Sequence, residues 1–335
     1  MPEGTVVIEK FESAVLKKNP LGDPATRLVP IYLPPTYDGR KAFPTIYMLA
    51  GFAGTGLNFL NVAFGAETLP QRLDRLIATK KMREAIVVMP DCMTRFGGSQ
   101  YLDSPATGRY ETHLIKELIP HIDKKYATKN TPAHRAVMGK SSGGYGALRL
   151  AMTHADMFGA VACHSGDMNF DLCYGHDIPT ACRILERYDG SLKKFWNAYL
   201  AAPKKPKDAF ALINLMGMAA AYSPNPKRAF PENIDLPFDT HTAEKIPSVW
   251  KRWLAHDPIR LMERKDAQAA LKRLTLLFID CGVKDEFGLH FGARIFTQKL
   301  KRLGIAHLHE EFSDGHFETS YRYDVSLPRI SKAIA

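Results

Sequence analysis

The chain has 335 residues, 45% of them hydrophobic and 24% charged, long enough for one large α/β core. Its net charge is +10, but the basic residues are scattered through segments such as Lys124-Lys125 and Lys299 to Arg302. The cluster Lys204-Lys205 with Lys207 is too short for a polybasic arm, and no readout motif accompanies the charge, so no nucleic-acid partner is expected.

In chain order, short β-rich runs alternate with helical patterns, which predicts a mostly parallel sheet covered on both faces. Val6 to Val15 and Arg27 to Leu33 read as leading strands, the second closed by Pro34-Pro35. Thr45 to Leu49 and Ala85 to Met89 are compact apolar runs of the kind that fill central strands. Glu111 to Tyr126 carries Leu114, Leu118, Ile119 and Ile122 at helical spacing. Ala136 to Met138 ends a strand that runs into glycine-rich sequence and a helix from Ser142 to about His154. Phe158 to Cys163 and Leu274 to Ile279 are further strands, Phe287 to Leu303 a helix, Ala306 to Phe312 a last strand and Tyr321 to Ile334 a closing helix.

Residues 167–271 break this rhythm, since an ordinary crossover joins two strands in far fewer residues. The stretch is helical in pattern and rich in aromatics (Phe195, Trp196, Tyr199, Phe210, Trp250, Trp253), with a proline-punctuated loop from Tyr222 to Phe238. It reads as an inserted helical cap, with 1–166 and 272–335 forming the core. No linker or internal repeat divides the chain. No apolar run approaches the roughly 18 residues that span a bilayer, and the amino terminus lacks the pattern of a signal peptide. The five cysteines are odd in number and form no C-x-x-C pair, which argues for free thiols and a cytoplasmic setting, with no zinc site. Monomer and homodimer stay equally open.

Gly139-Lys140-Ser141-Ser142-Gly143 is the G-x-S-x-G of the chain. A strand before it and a helix after it supply the strand–turn–helix that exposes a nucleophilic serine, and glycine at 139 and 143 removes Cβ atoms that would collide. Ser142 as nucleophile would need glycine where Lys140 stands. A serine hydroxyl needs a base, itself oriented by a third group. Of the late histidines, His290 falls within a helix, and His307 and His309 share one strand face. His316 sits in the turn Ser313-Asp314-Gly315-His316 between the last strand and the last helix, where a loop can carry it over the strand ends. For the orienting acid, Asp285 on the loop after the Leu274–Ile279 strand is preferred to Asp280 at that strand's end, with Glu286 third. The oxyanion needs two backbone N–H donors. Ser142, at the start of a helix whose dipole favours negative charge, is one candidate. Phe52, in the loop Ala50-Gly51-Phe52-Ala53-Gly54, is the other.

Taken together these segments resemble the esterase family of α/β-hydrolases that includes esterase D (S-formylglutathione hydrolase), feruloyl esterases, enterochelin-esterase-like proteins and mycolyltransferases. Gly139 to Leu148 is similar to the family's G-x-S-x-G-G-x-G-A-L elbow. Met89-Pro90-Asp91 with Ser99 to Ser104 is similar to its post-strand loop. Asp280 to Phe287 is similar to its D-x-G-x-x-D-x-F segment, whose second aspartate, here Asp285, is the triad acid. Asp314-Gly315-His316 matches the turn bearing its histidine. The chain departs from the pattern at Ala50 and at Lys140, each standing where the family often has histidine.

The resemblance implies an α/β-hydrolase fold and ester hydrolysis through an acyl-enzyme on a small-molecule ester, with no cofactor and no metal. Activity should climb with pH as the histidine loses its proton. Gly51, Tyr101, Trp250 and Trp253 are candidate pocket residues, although core packing explains the tryptophans equally well. The alternatives are acyl transfer to a sugar or thiol, a catalytically silent binding protein, and a thiol hydrolase built on Cys92.

Overall fold

The computed structural model describes residues 3–335. Eight strands form one sheet: β1 (Thr5–Glu12), β2 (Thr26–Leu33), β3 (Thr45–Leu49), β4 (Ile86–Val88), β5 (Arg135–Lys140), β6 (Ala160–His164), β7 (Leu276–Gly282) and β8 (Leu308–Phe312). Their spatial order is β1-β2-β4-β3-β5-β6-β7-β8. β2 is antiparallel to both of its neighbours, and every pairing from β4 to β8 is parallel. The expected doubly covered sheet is therefore present. Every residue of β3, β4 and β6 is buried, as strands sandwiched between helices require. The edge strands β1 and β8 are half-exposed and carry charged residues, Glu9, Lys10 and Glu12 on one and Glu310 and Glu311 on the other.

Two apolar cores lie on opposite faces, and alternation along the strands feeds both. Ile46, Met48, Ala136 and Met138 point to one, where α1 (Leu69–Ala78) and the closing helix Tyr323–Ala333 supply Leu73, Leu76, Leu327 and Ile330. Tyr47, Leu49, Val137 and Val161 point to the other, covered by α2 (Ser142–Thr153), by the helices between β6 and β7, and by Leu289–Arg302. Each fully buried Leu or Ile contributes about 1.5–3 kcal/mol relative to exposure. The stretch between β6 and β7 contributes no strand to the sheet. Its helices, including α3 (Phe210–Tyr222) and α4 (Pro247–Leu254), share one continuous apolar cluster with the sheet.

Several boundaries differ from the sequence expectation for local reasons. β1 stops at Glu12, and Ser13 turns its hydroxyl onto Glu117. The predicted helix from Phe287 starts at Leu289, because Gly288 takes a left-handed φ of 66°. β8 starts at Leu308, which leaves His307 outside the strand with its Nδ1 on the Ile305 carbonyl. The helical run 110–125 widens into a π-helix over His113–Leu118, just where Pro120 removes the N–H that Lys116 would otherwise receive.

His113 lies in that π-helical stretch, fully buried, with Nδ1 3.4 Å from Glu117. Burial outweighs the carboxylate and pushes its pKa down to about 4. Unfolding frees the ring to bind a proton below its ordinary value near 6.5. Stability is then lost as pH falls from that value toward 4, by up to about 1.4 kcal/mol per pH unit. His113→Gln should flatten the fall in unfolding free energy between about pH 6.5 and 4.5, measured by urea titration. An unchanged slope would contradict a buried neutral histidine.

Candidate active site

The turn between β5 and α2 places Ser141 at the helix N-cap with φ 58° and ψ −129°, a strained conformation for a residue with a side chain. It is pinned on both sides: the Ser141 N–H donates to the His164 carbonyl at 2.9 Å, and the Tyr145 N–H donates to the Ser141 carbonyl at 2.9 Å. The flanking glycines are sterically required. A Cβ on Gly139 would sit 2.6 Å from the Gly143 backbone, and one on Gly143 would sit 2.2 Å from the Leu49 carbonyl oxygen.

His316 comes from the turn after β8. Its Nδ1 pairs with Asp285 Oδ2 at 2.7 Å, and its backbone N–H donates to Glu286 Oε2 at 2.7 Å. The turn crosses close over the end of β7, where a Cβ on Gly282 would meet the Asp314 carbonyl oxygen at 2.2 Å. Phe287 and Phe317 pack edge-on against the imidazole, at 4.8 and 5.3 Å between centroids. Asp285 is itself fixed, since its Oδ1 accepts from the Phe287 and Leu289 N–H groups at 3.0 and 3.4 Å. With Nδ1 committed, Nε2 is the nitrogen left to face a substrate. Ser141 and His316 line one cavity, yet no hydrogen bond joins them here. Such contacts are commonly loose before substrate binds.

Asp280, the competing acid, is fully buried and has a different task. It takes His164 Nδ1 at 2.6 Å and Arg322 Nε at 2.8 Å, while His164 Nε2 meets Ser326 Oγ at 2.9 Å. Ser326, His164 and Asp280 thus repeat the hydrogen-bond order of a catalytic triad, but all three are buried, and none lines the cavity.

The Ala50–Gly54 loop lies against the elbow. A Cβ on Gly51 would come within 3.4 Å of the Lys140 carbonyl oxygen. The Phe52 ring is wedged between glycines, where Cβ atoms on Gly97 and Gly217 would reach it at 2.5 and 2.7 Å. Among the described residues neither the Phe52 nor the Ser142 amide donates to a protein acceptor, which leaves both free for an oxyanion. Tyr101 acts behind the loop, donating its hydroxyl to the Ala50 carbonyl at 2.6 Å.

The cavity holds about 260 Å³. Phe52, Phe210, Phe287 and Phe317 form its apolar walls, and Asp167, Tyr174 and Asn214 add a polar patch. Gly51 lines it as expected. Tyr101, Trp250 and Trp253 do not. The two indoles stack at 5.5 Å inside the inserted helices, with their N–H groups on Asp171 and Ser223. Their aromatic surface is consumed by packing, which corrects their reading, and that of Tyr101, as pocket walls.

Sequence reasoning missed Asp167, Tyr174, Asn214 and the two phenylalanines, Phe287 and Phe317. Only the phenylalanines carried a signal, being neighbours of Glu286 and His316. Lys140 has no acidic partner within ion-pair distance among the described residues, and burial lowers its pKa against the opposing charges of Asp285 and Glu286. Burial likewise raises the Asp167 carboxyl, against Tyr174, Gln100 and the charge on His316. Cys92 is buried, and its thiol is pushed far up by burial and the charge of Asp91, which makes it a poor nucleophile. All five cysteines are free and buried. No helix among the described residues is long and apolar enough to cross a membrane.

A solved ferulic acid esterase superposes with a TM-score of 0.64 at 23% identity, covering 99% of each chain. An S-formylglutathione hydrolase from Agrobacterium tumefaciens gives a TM-score of 0.59 at 16% identity, over 100% of this chain and 97% of the other. These likenesses establish the α/β-hydrolase fold. Esterase Rv1288 of Mycobacterium tuberculosis (strain ATCC 25618 / H37Rv) is 29% identical over 153 residues, 44% of this chain and only 30% of that protein. The family described as "Putative esterase" matches residues 24–325, and the chain belongs to it.

Proposed function

We propose that the chain is a serine carboxylesterase that hydrolyses a small-molecule ester, oxygen or thio, through an acyl-enzyme. The observation carrying this reading is that a serine on a strained elbow and a histidine whose Nδ1 is held by an aspartate line one cavity. Ser141 Oγ attacks the ester carbonyl as His316 Nε2 takes its proton, and Asp285 steadies the imidazolium. The Phe52 and Ser142 amides hold the oxyanion. His316 returns the proton to the leaving alcohol or thiol. It then takes a proton from water as the water oxygen attacks the acyl carbonyl, and passes it to Ser141 Oγ as the acyl–oxygen bond breaks and the acid leaves.

The cavity sets an expectation on chain length. A long alkyl chain filling a cavity of about 260 Å³ would lie against Asp167, Tyr174 and Asn214 as well as the phenyl rings, displacing polar groups from water without replacing their bonds. p-Nitrophenyl acetate and butyrate should therefore turn over with kcat/KM at least about tenfold above the octanoate. Equal rates, or a preference for octanoate, would contradict a small cavity with this polar lining. Product analysis in competing alcohol separates hydrolysis from transfer. A predominance of the new ester over the free acid would favour an acyltransferase.

A further inference from the structure

The basic residues scattered along the sequence are gathered by the fold. Helices run back against the parallel strands, so the connections into β3, β4, β5, β7 and β8 meet at the amino ends of those strands. Ser141, Asp285 and His316 follow the carboxyl ends, a strand length of roughly 20 Å away. The connection into β3 carries Arg40 and Lys41, and that into β4 carries Lys80, Lys81 and Arg83. The helices Ile119–Lys125, Lys265–Lys272 and Leu289–Arg302 finish at the same end with basic last turns.

The acids of these connections are already engaged. Asp38 accepts the Arg40 and Lys41 amides at 2.9 and 3.1 Å, and Glu84 holds the Thr36 amide and hydroxyl. Asp123 pairs with Arg135, and Asp156 with Arg273. Glu310 is taken by Arg322 and Arg329. Among the described residues no carboxylate lies within ion-pair distance of Lys80, Lys81, Arg83 or Lys332. These four, with Arg329, line an open groove of about 330 Å³ that no acid lines.

The turn that builds the groove is strained. The Lys80 and Lys81 amides close the end of α1 on the Ile77 and Leu76 carbonyls, both at 2.9 Å. That puts Lys80 at φ 58°, a position glycine usually fills. Helix dipoles favour cations at such ends, but each amounts to about half an elementary charge. The three cations that follow α1 exceed it.

The charges come from separate loops and helix ends, so no single helix or strand presents them to a nucleic-acid groove. The exposed aromatics Phe64, Phe291, Phe317 and Tyr321 belong to connections at the catalytic end, which leaves none of them here to stack on a base. A broad end-face of unpaired cations matches a flat array of phosphate head groups. We propose that this face docks the protein reversibly on a surface of anionic phospholipid, with Lys80, Lys81 and Arg83 among its contacts. Docked so, the catalytic cavity faces away from the lipid, whatever ester is cleaved there.

The test is co-sedimentation with vesicles of phosphatidylcholine alone and of phosphatidylcholine mixed two to one with phosphatidylglycerol. Wild type should bind the mixed vesicles at least about tenfold more tightly at about 0.15 M salt, and release them at about 1 M. The triple variant Lys80→Gly, Lys81→Ser, Arg83→Ser should lose at least about tenfold in that affinity. It should keep its thermal midpoint, because glycine suits φ 58°. A second triple variant, Lys193→Ser, Lys204→Ser, Lys207→Ser, removes the same charge from the stretch between β6 and β7. It should stay within about threefold of wild type.

Equal binding of wild type to the two kinds of vesicle overturns the proposal, whether or not the variants fold. The same loss in both triple variants overturns it too, since overall charge and not this face would then be responsible. Binding of a duplex oligonucleotide that depends on Lys80, Lys81 and Arg83, with none to mixed vesicles, would assign the face to nucleic acid instead.

Discussion

Alanine at position 141 should lower kcat for ester hydrolysis by about 10⁵-fold, leaving only the residual rate that an oxyanion hole and binding can supply without a nucleophile. The loss should be confined to chemistry. Ser141 Oγ makes no hydrogen bond in the free structure, so its removal strands no partner, and the unfolding free energy should stay within about 0.5 kcal/mol of wild type. Glycine at the same position separates strain from chemistry. It should abolish activity equally but raise stability by about 1 kcal/mol, because φ 58° is open to glycine and disfavoured for alanine. Single-turnover kinetics and urea titration of the two variants check both halves.

The two neighbouring aspartates should part in opposite directions. Asp285→Asn keeps the shape but offers His316 Nδ1 an amide in place of a carboxylate. The tautomer is then no longer fixed and the imidazolium no longer steadied. A loss of about 10³–10⁴ in kcat is expected, with KM little changed. Asp280→Asn instead breaks a buried pair with Arg322 and His164, which costs about 3–5 kcal/mol of stability. The molecules that remain folded should keep kcat within about tenfold, since Asp280 lies outside the cavity. Measuring kcat per folded molecule beside the thermal midpoint distinguishes them. If Asp280→Asn proved the more damaging to chemistry, the assignment of the acid would be reversed.

The features legible in the sequence were those set by short-range sterics and periodicity. Gly139 and Gly143 are required by contacts under 3 Å, so the elbow declares itself in five residues. The unbroken apolar runs of β3 and β6 follow from burial on both faces. His316 was found by its place between the last strand and the last helix. The choice between Asp285 and Asp280 was harder, because both are buried carboxylates one short loop apart. Only their partners tell them apart, the His316 imidazole and the Phe287 and Leu289 amides for one, a buried His–Arg pair for the other.

Asp167 and Tyr174 come from one short stretch after β6 and Asn214 from α3, and no local pattern marks their convergence on the cavity. The tryptophans misled for the converse reason. An indole on a cap helix reads the same whether it lines a pocket or fills a core, and here stacking and two N–H bonds consume both. The π-helical stretch at His113–Leu118 escaped because periodicity registers a helix but not a change in its winding.

The measurement that bears most directly on the central claim is intact-mass analysis after treatment with a fluorophosphonate, followed by peptide mapping. Wild type should gain one phosphonyl group, carried on Ser141 in the peptide spanning the elbow, in step with loss of ester turnover, and Ser141→Ala should gain none. Modification elsewhere, or full turnover surviving in Ser141→Ala, would contradict Ser141 as the nucleophile.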